Sequence, residues 1–449
     1  MREVRIRDTL SGELRTLEPD GNGEVGVYAC GPTTYARIHV GNARPYVVFI
    51  LLKRFLEHEG YDVTLVGNVT DINDKIYAAA REAGRRSDRL ASEMTRAYVE
   101  DTDRLGLGRP DHEPLASETI PEIVALIERL VETGHAYESG GDVYFRVRSF
   151  EGYGKLSNRR PEDMDQGEEA GNERLKQDPL DFALWKAQKE DEDTAWESPW
   201  GLGRPGWHIE CSAMAEKLLG VGFAIHGGGS DLVFPHHENE IAQTEAAHNA
   251  PLARIWMHNG MVQMAEEKMS KSEGNIFQLS EALDVYGPLA VVAYLVSGHY
   301  RQPIAFGPDA LEEAAARVER IRNFLLEAGD GEPDPFVSER REAFFAALAD
   351  DFNTPQALAS IFELVAEGNR RPLPGARGAL EDMLPVVGLD ALLEPVAEAD
   401  PEAERLLVER EEARAAREFE RADRIRDELQ ERGWEVRDTP GGARLVRRP

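Results

Sequence analysis

The chain has 449 residues, 41% of them hydrophobic and 30% charged, with a net charge of −31 and a pI near 4.8. At this length about two to four domains are expected, and the apolar content excludes a fully disordered chain. The acidic balance excludes a non-specific nucleic-acid binder, but not a specific RNA partner read by shape, stacking and local arginine clusters.

Residues 24–29 (Glu-Val-Gly-Val-Tyr-Ala) read as a buried strand ending at Cys30-Gly31-Pro32. After His39-Val40-Gly41-Asn42, helical apolar periodicity runs from Pro45 to Leu56. A second strand is expected over Asp62–Asn68 and a helix over Asp74–Glu82. Strand, glycine turn, helix and strand make a mononucleotide-binding unit. Pro121–Thr133 reads as an amphipathic helix and Gly141–Val147 alternates like a strand. An acidic, glycine-containing loop covers 162–171. These features mark 115–200 as an insertion that splits an α/β core spanning 1–114 and 201–307. A strand is expected around Trp256–Val262. From Pro308 the pattern turns helical, over Leu311–Ala328, Ser338–Ala349 and Pro355–Asn369, giving a bundle over 308–400. Residues 402–432 are charged and helical, and 433–449 are strand and turn, so 401–449 is a small α+β domain whose end carries Arg437, Arg444, Arg447 and Arg448.

No apolar run is long enough to span a membrane: Val47–Leu52, for one, ends at Lys53 and Arg54. The N-terminus lacks a signal peptide's apolar centre, so the cytoplasm is the expected location. Two cysteines, Cys30 and Cys211, point to a metal or reactive thiols in a reducing compartment, with a single disulfide as the alternative. Only nine lysines are present. The acidic excess fits a solubilising surface, and fits better a halophile's protein whose carboxylates stay hydrated in concentrated salt.

Lys268-Met269-Ser270-Lys271-Ser272 is the most specific chemical signal. Two lysines separated by small residues can swing over a triphosphate and neutralise the charge that develops as pyrophosphate leaves. The alternative is a solvated basic loop. His39-Val40-Gly41-Asn42 places an imidazole at a helix start beside a glycine that lets backbone approach, which suits a phosphate site. His236 and Glu240 stand four apart, so they share a helix face and can grip one ion, whereas His237 has Ile241 at that spacing. With Cys30 and Cys211 they make a donor set that suits Zn²⁺; a solvated His-Glu pair on a capped helix is the alternative. Asp71 and Asp74 read as helix caps rather than metal ligands.

The pairing of His39–Asn42 with Lys268–Ser272 resembles class I aminoacyl-tRNA synthetases, whose first motif ends in histidine where this chain has Asn42. The stretches Tyr28–Thr33, Asn68–Lys75, Asp178–Lys186, Gly206–Met214, His226–Glu240, Asp350–Pro355 and Ala422–Asp427 resemble the cysteinyl-tRNA synthetase family essentially end to end. The resemblance implies a class I α/β core with a parallel sheet, an inserted connective domain, a helical tRNA-binding bundle and a C-terminal anticodon-binding domain. It implies that Cys30, Cys211, His236 and Glu240 bind one catalytic Zn²⁺ that takes the substrate thiolate. It places His39, Gly41, Asn42, Gly228, Gly229 and Lys271 around ATP with its Mg²⁺. It also places Gly31, Thr70, Trp207, His226 and Asp231 around L-cysteine. Catalysis falls to His39, Asn42, Lys268 and Lys271, with tRNA(Cys), L-cysteine and ATP as partners of a monomer. Two rivals remain, a ligase joining cysteine to an amino sugar in mycothiol synthesis and a non-catalytic RNA-binding adaptor. The family's tail carries a tryptophan beside its last basic residues; Leu445-Val446 stand here, so a stacking contact is either missing or moved to Trp434.

Overall fold

The computed structural model describes residues 2–160, 174–264, 277–394, 401–439 and 442–447. An antiparallel pair, β1 (Arg5–Arg7) and β2 (Leu14–Thr16), leads into β3 (Glu24–Ala29), α1 (Val40–His58), β4 (Asp62–Gly67) and α2 (Asp74–Glu82). This is the expected strand–turn–helix–strand unit. α1 starts five residues before Pro45, because His39 and Asn42 cap it upstream of the proline. A further helix, α3 (Ser87–Asp103), was not among the expectations; its apolar stripe of Leu90, Ala91, Ala97 and Tyr98 is interleaved with charge.

The insertion holds α4 (Ile120–Glu132) and four strands, β5 (Ala136–Ser139), β6 (Asp142–Phe145), β7 (Phe182–Ala187) and β8 (Gly203–Pro205). They form an antiparallel sheet in that order, with β8 reaching five residues past the expected edge of the insertion. The acidic loop over 162–171 lies outside the described residues. Then come α5 (Trp207–Leu219), β9 (Phe223–Gly229), α6 (Glu238–His248), β10 (Ala253–Asn259), β11 (Val262–Met264), α7 (Leu279–Leu295) and β12 (Ile304–Phe306).

The central sheet has the order β10-β9-β3-β4, with every pairing parallel. β3 is flanked by β4 on one side and by β9, about 200 residues later, on the other. That reversal of strand order opens a crevice at the carboxyl ends of β3 and β9, where a ligand can enter between neighbouring strands. The insertion and the sheet share one hydrophobic core, in which Tyr28, Val66 and Trp256 pack with Ile127, Phe145 and Trp185.

α8 (Pro308–Leu325), α9 (Pro335–Ala349), α10 (Thr354–Gly368) and α11 (Ala376–Met383) form the expected helical segment. Proline stands in the first turn of α8, α9 and α10, where its missing N–H costs nothing. Asp334 and Asn353 cap two of them by accepting from the N–H groups of Phe336 and Gln356. Residues 391–449 form a separate compact unit, with α12 (Pro401–Ala415), α13 (Phe419–Glu431) and a hairpin of β13 (Trp434–Thr439) and β14 (Gly442–Arg447). The helical stretch expected over 402–432 is thus two helices, turned at Arg417 with φ of 62°. Trp434 is 6% exposed and packs with Ala403, Leu406, Ile425 and Leu429. The idea that it stacks on RNA is corrected: it is the core of this unit. Arg448 lies outside the described residues. Among the described residues no helix is long and apolar enough to cross a membrane.

Candidate catalytic and metal site

The carboxyl edge of the sheet carries the site. Cys30 follows the last residue of β3, His226 lies on β9 opposite Tyr28, and Cys211 sits on α5. His236 precedes α6 and Glu240 lies in its first turn. All five are buried. Ligand atoms of Cys30, Cys211, His236 and Glu240 lie within 4.8 Å of one another. Tetrahedral zinc bonds of about 2.0–2.3 Å put two ligand atoms about 3.3–3.8 Å apart, so this set closes on one ion with a contraction of up to about 1 Å. Two sulfurs, an imidazole and a carboxylate are the donor chemistry Zn²⁺ takes.

His236 and Glu240 share a face as expected, with Nε2 and Oε1 2.8 Å apart. The other ring nitrogen of His236 lies 3.0 Å from Nδ1 of His208, the kind of support that fixes a ligand ring. A second set, Cys30, His226, His237 and Glu240, is equally tight. Nε2 of His237 is 3.3 Å from Sγ of Cys30, and its Nδ1 is 2.7 Å from His258, which Thr9 holds in turn. Sequence spacing makes His237 the poorer candidate by assuming a regular helix. The chain over Val233–His237 is not one: Phe234 has φ of −140° and ψ of 133°, and α6 begins only at Glu238. The second set has one sulfur, the first has two.

Charge follows burial and neighbours. Burial pushes the Cys30 thiol well above its ordinary value. The hydrogen bond from Cys30 and the nearby His236 bring Cys211 down to about 6. Burial would raise the Glu240 carboxyl, but the imidazoles of His226 and His236 hold it well below the usual range. Cys211 and Glu240 are therefore poised as anions for a cation.

Other expected residues surround this cluster. The Trp207 ring stacks on that of His236, centroids 4.4 Å apart. His226 stacks on Tyr28 and stands 2.9 Å from Glu240 Oε2. Gly31 donates its N–H to Asn68 Oδ1, and a Cβ there would stand 1.7 Å from the Asn68 carbonyl oxygen. Thr70 is buried two residues on from Asn68. A Cβ on Gly228 would meet Leu232, Cys30 and His237, and one on Gly229 would meet the carboxylate of Asp231, which is exposed. At the start of α1, Asn42 Oδ1 accepts from the His39 N–H at 3.2 Å, and the His39 ring lies against Gly41 where a Cβ would be 2.9 Å away. Burial lowers the His39 pKa, favouring the neutral imidazole. Lys268 and Lys271 lie outside the described residues.

Sequence reasoning did not single out His208 or His258. Asp71 and Asp74 do not cap α2 as expected. Asp71 accepts from the N–H and hydroxyl of Ser117, and Asp74 pairs with Lys186 and Arg204, while Asn73 caps α2.

The family described as "tRNA synthetases class I (C) catalytic domain" matches residues 16–316. A DALR domain matches 343–383, and "Cysteinyl-tRNA ligase anticodon binding domain" matches 397–444. The chain is 44% identical over 464 residues to a cysteine–tRNA ligase of Caldicellulosiruptor saccharolyticus, covering 99% of this chain and 100% of that one. It is 47% identical over 459 residues to a cysteine–tRNA ligase of Halorhodospira halophila, covering 99% of each. Mycobacterium tuberculosis methionyl-tRNA synthetase in complex with methionyl-adenylate shares the fold, with TM-score 0.61 at 15% identity over 84% of this chain and 95% of that one. With end-to-end similarity, a class I parallel-sheet core and a C-terminal anticodon-binding unit, the chain belongs to the cysteine–tRNA ligase family of class I aminoacyl-tRNA synthetases.

Proposed function

We propose that the chain activates L-cysteine with ATP and transfers it to the 3′-terminal adenosine of tRNA(Cys), with Cys30, Cys211, His236 and Glu240 holding zinc. The observation that carries this reading is the convergence of those four buried side chains from three separate segments at the carboxyl edge of the parallel sheet. Zinc bound there supplies a Lewis acid that takes the thiolate of cysteine, which serine's hydroxyl matches poorly and alanine not at all.

The remaining work is positioning and electrostatics by the chain's own residues. Asp231 pairs with the α-ammonium, while Gly31, Thr70, Trp207 and His226 wall the substrate. The cysteine carboxylate oxygen attacks the α-phosphorus, and pyrophosphate leaves with its Mg²⁺. His39 donates to the phosphate as a neutral imidazole, beside Gly41 and Asn42 at the positive end of α1. Lys268 and Lys271 neutralise the charge that builds on the leaving group, and Gly228 and Gly229 border the adenosine. The 2′-hydroxyl of the terminal adenosine then attacks the carbonyl and AMP departs. In this reading 115–200 is the connective insertion in a core of 1–114 and 201–307, and 308–400 with 401–449 engage the tRNA.

The experiment is charging of a tRNA(Cys) transcript in concentrated KCl by the native chain and by Cys211→Ser. Charging by the native chain that disappears in the variant, while the fold and tRNA affinity persist, supports the reading. Adenylate formation without any charging would instead favour the cysteine–amino-sugar ligase, and no adenylate would favour the adaptor.

A further inference from the structure

The loop from Cys30 to His39 joins the two halves of the site, and its middle presents Tyr35 to solvent. Tyr35 is 43% exposed, and among the described residues up to 390 it is the one exposed large aromatic side chain. The loop beneath it is fixed. Thr34 is 1% exposed, its N–H donates to the Thr70 carbonyl, and its hydroxyl accepts from Thr95 of α3. The Tyr35 N–H folds back onto the Thr33 carbonyl. The ring therefore stands out from an anchored base. Lys75 of α2 places its ammonium 5.7 Å from the ring centroid.

A cavity of about 340 Å³ lies between α2, α3 and the insertion. It is tied to the same loop twice, because Thr95, which bonds Thr34, lines it, and so does Ile76, the neighbour of Lys75. Its walls include Tyr77, Trp196, Ser92, Arg96 and the carboxylate of Asp71. Asp88 also lines it, paired with Arg86. Aromatic faces, hydroxyls and a cation at the rim are the chemistry that holds an unstacked nucleotide: rings stack on the base and cations meet the phosphate. A carboxylate inside selects bases with exocyclic amino groups, which both cytosine and adenine carry.

We propose that this cavity, joined through Thr95 and Thr34 to the loop that carries Tyr35, takes one nucleotide of the single-stranded 3′ end of the tRNA and so sets the terminal adenosine between the Cys30 and His39 ends of the loop. The inference rests on the tRNA-charging reading above.

The test compares equilibrium binding of two tRNA(Cys) transcripts, one complete and one lacking its last three nucleotides, at a single KCl concentration. The native chain binds the complete transcript about tenfold more tightly. Tyr35→Ala removes that advantage and Tyr35→Phe keeps it. Ser92→Trp, a change at an exposed position that fills the cavity, removes it with Tyr35 intact. An advantage that survives in Tyr35→Ala and Ser92→Trp would overturn the proposal. So would a rise in the KM for ATP in cysteine-dependent pyrophosphate exchange as large as the loss in tRNA binding, because the ring would then be stacking on ATP. A native chain without cysteine-dependent exchange would sink the function proposed above, while the two transcripts still decide the role of Tyr35.

Discussion

The indole of Trp207 lies flat on the imidazole of His236, with centroids 4.4 Å apart and planes inclined by 21°. Trp207 is the first residue of α5 and Cys211 lies one turn further, so one helix start supplies both a ligand and the cover over its neighbour. The opposite constraint on the His236 ring is its Nδ1, held 3.0 Å from His208. Removing the indole frees the ring to turn and lets water reach it. Support of this kind around a metal ligand is worth about ten- to a hundredfold in metal affinity. Trp207→Ala therefore loses zinc about tenfold more readily to a chelator, and Trp207→Phe largely retains it.

The two overlapping donor sets make a sharper prediction. Cys30 and Glu240 belong to both, so their loss is uninformative about which histidine ligates. Two thiolates bind zinc more strongly than one, and Cys211 accompanies His236 alone. Metal analysis should find one zinc per native chain, and a sharp fall in His236→Ala and Cys211→Ser. His237→Ala should keep its zinc. Zinc lost from His237→Ala and kept in Cys211→Ser would reverse the assignment.

Much of this site was legible because its side chains fall at the ends of regular elements. The strand over 24–29 delivers Cys30, and the four-residue step from His236 to Glu240 survives as a 2.8 Å contact. What was hidden depends on irregular backbone. His237 reaches Cys30 only because the chain before α6 departs from a regular helix, which periodicity cannot register. The turn at Arg417 has neither glycine nor proline to announce it, so two helices read as one. Trp434 was given a surface role because a tail rich in arginine offers no apolar pattern. Its partners, Ala403 and Leu406, come from a helix thirty residues earlier.

Asp74 gives a pH prediction. Burial would raise its carboxyl, but the charges of Lys186 and Arg204 outweigh that and bring it to about 2. Arg204 is 2% exposed and bridges Asp74 to Glu192, tying α2 to the sheet of the insertion. In the unfolded chain this carboxyl titrates near 3.9. The folded value is the lower one, so its stabilisation is complete above about pH 4 and is lost as the pH falls towards 2. Asp74→Asn should cost about 2 kcal/mol at neutral pH, because Lys186 and Arg204 lose a half-buried partner while Arg204 keeps Glu192. It should also flatten the acid limb of the stability curve between about pH 4 and 2, read by denaturant unfolding at a series of pH values.

Gly31 has no room for a side chain: a Cβ would stand 1.7 Å from the Asn68 carbonyl oxygen, an atom of the backbone that leaves β4. All three of the nearest atoms are backbone of Asn68, so no flexible group can yield. Gly31→Ala should destabilise the chain by about 2–3 kcal/mol and push Cys30 out of register with Cys211. A lower unfolding midpoint together with reduced zinc content checks it. An alanine variant with native stability would mean that β3 and β4 part more easily than their parallel pairing indicates.

Asn42 separates helix capping from chemistry. Its Oδ1 accepts from the His39 N–H at 3.2 Å, which satisfies a donor at the start of α1 and fixes the residue carrying the imidazole. Asn42→Ala removes that acceptor and should cost about 1 kcal/mol in stability. It should also lower the rate of cysteine-dependent pyrophosphate exchange, since His39 is no longer held. Asn42→Asp keeps the acceptor and adds a negative charge that suits the helix start. Its stability should match or exceed the native value. In the proposed function that charge would face the triphosphate, so the KM for ATP should rise. If Asn42→Asp instead bound ATP as well as the native chain, the phosphates would have to lie away from this end of α1, and His39 would lose its assigned partner.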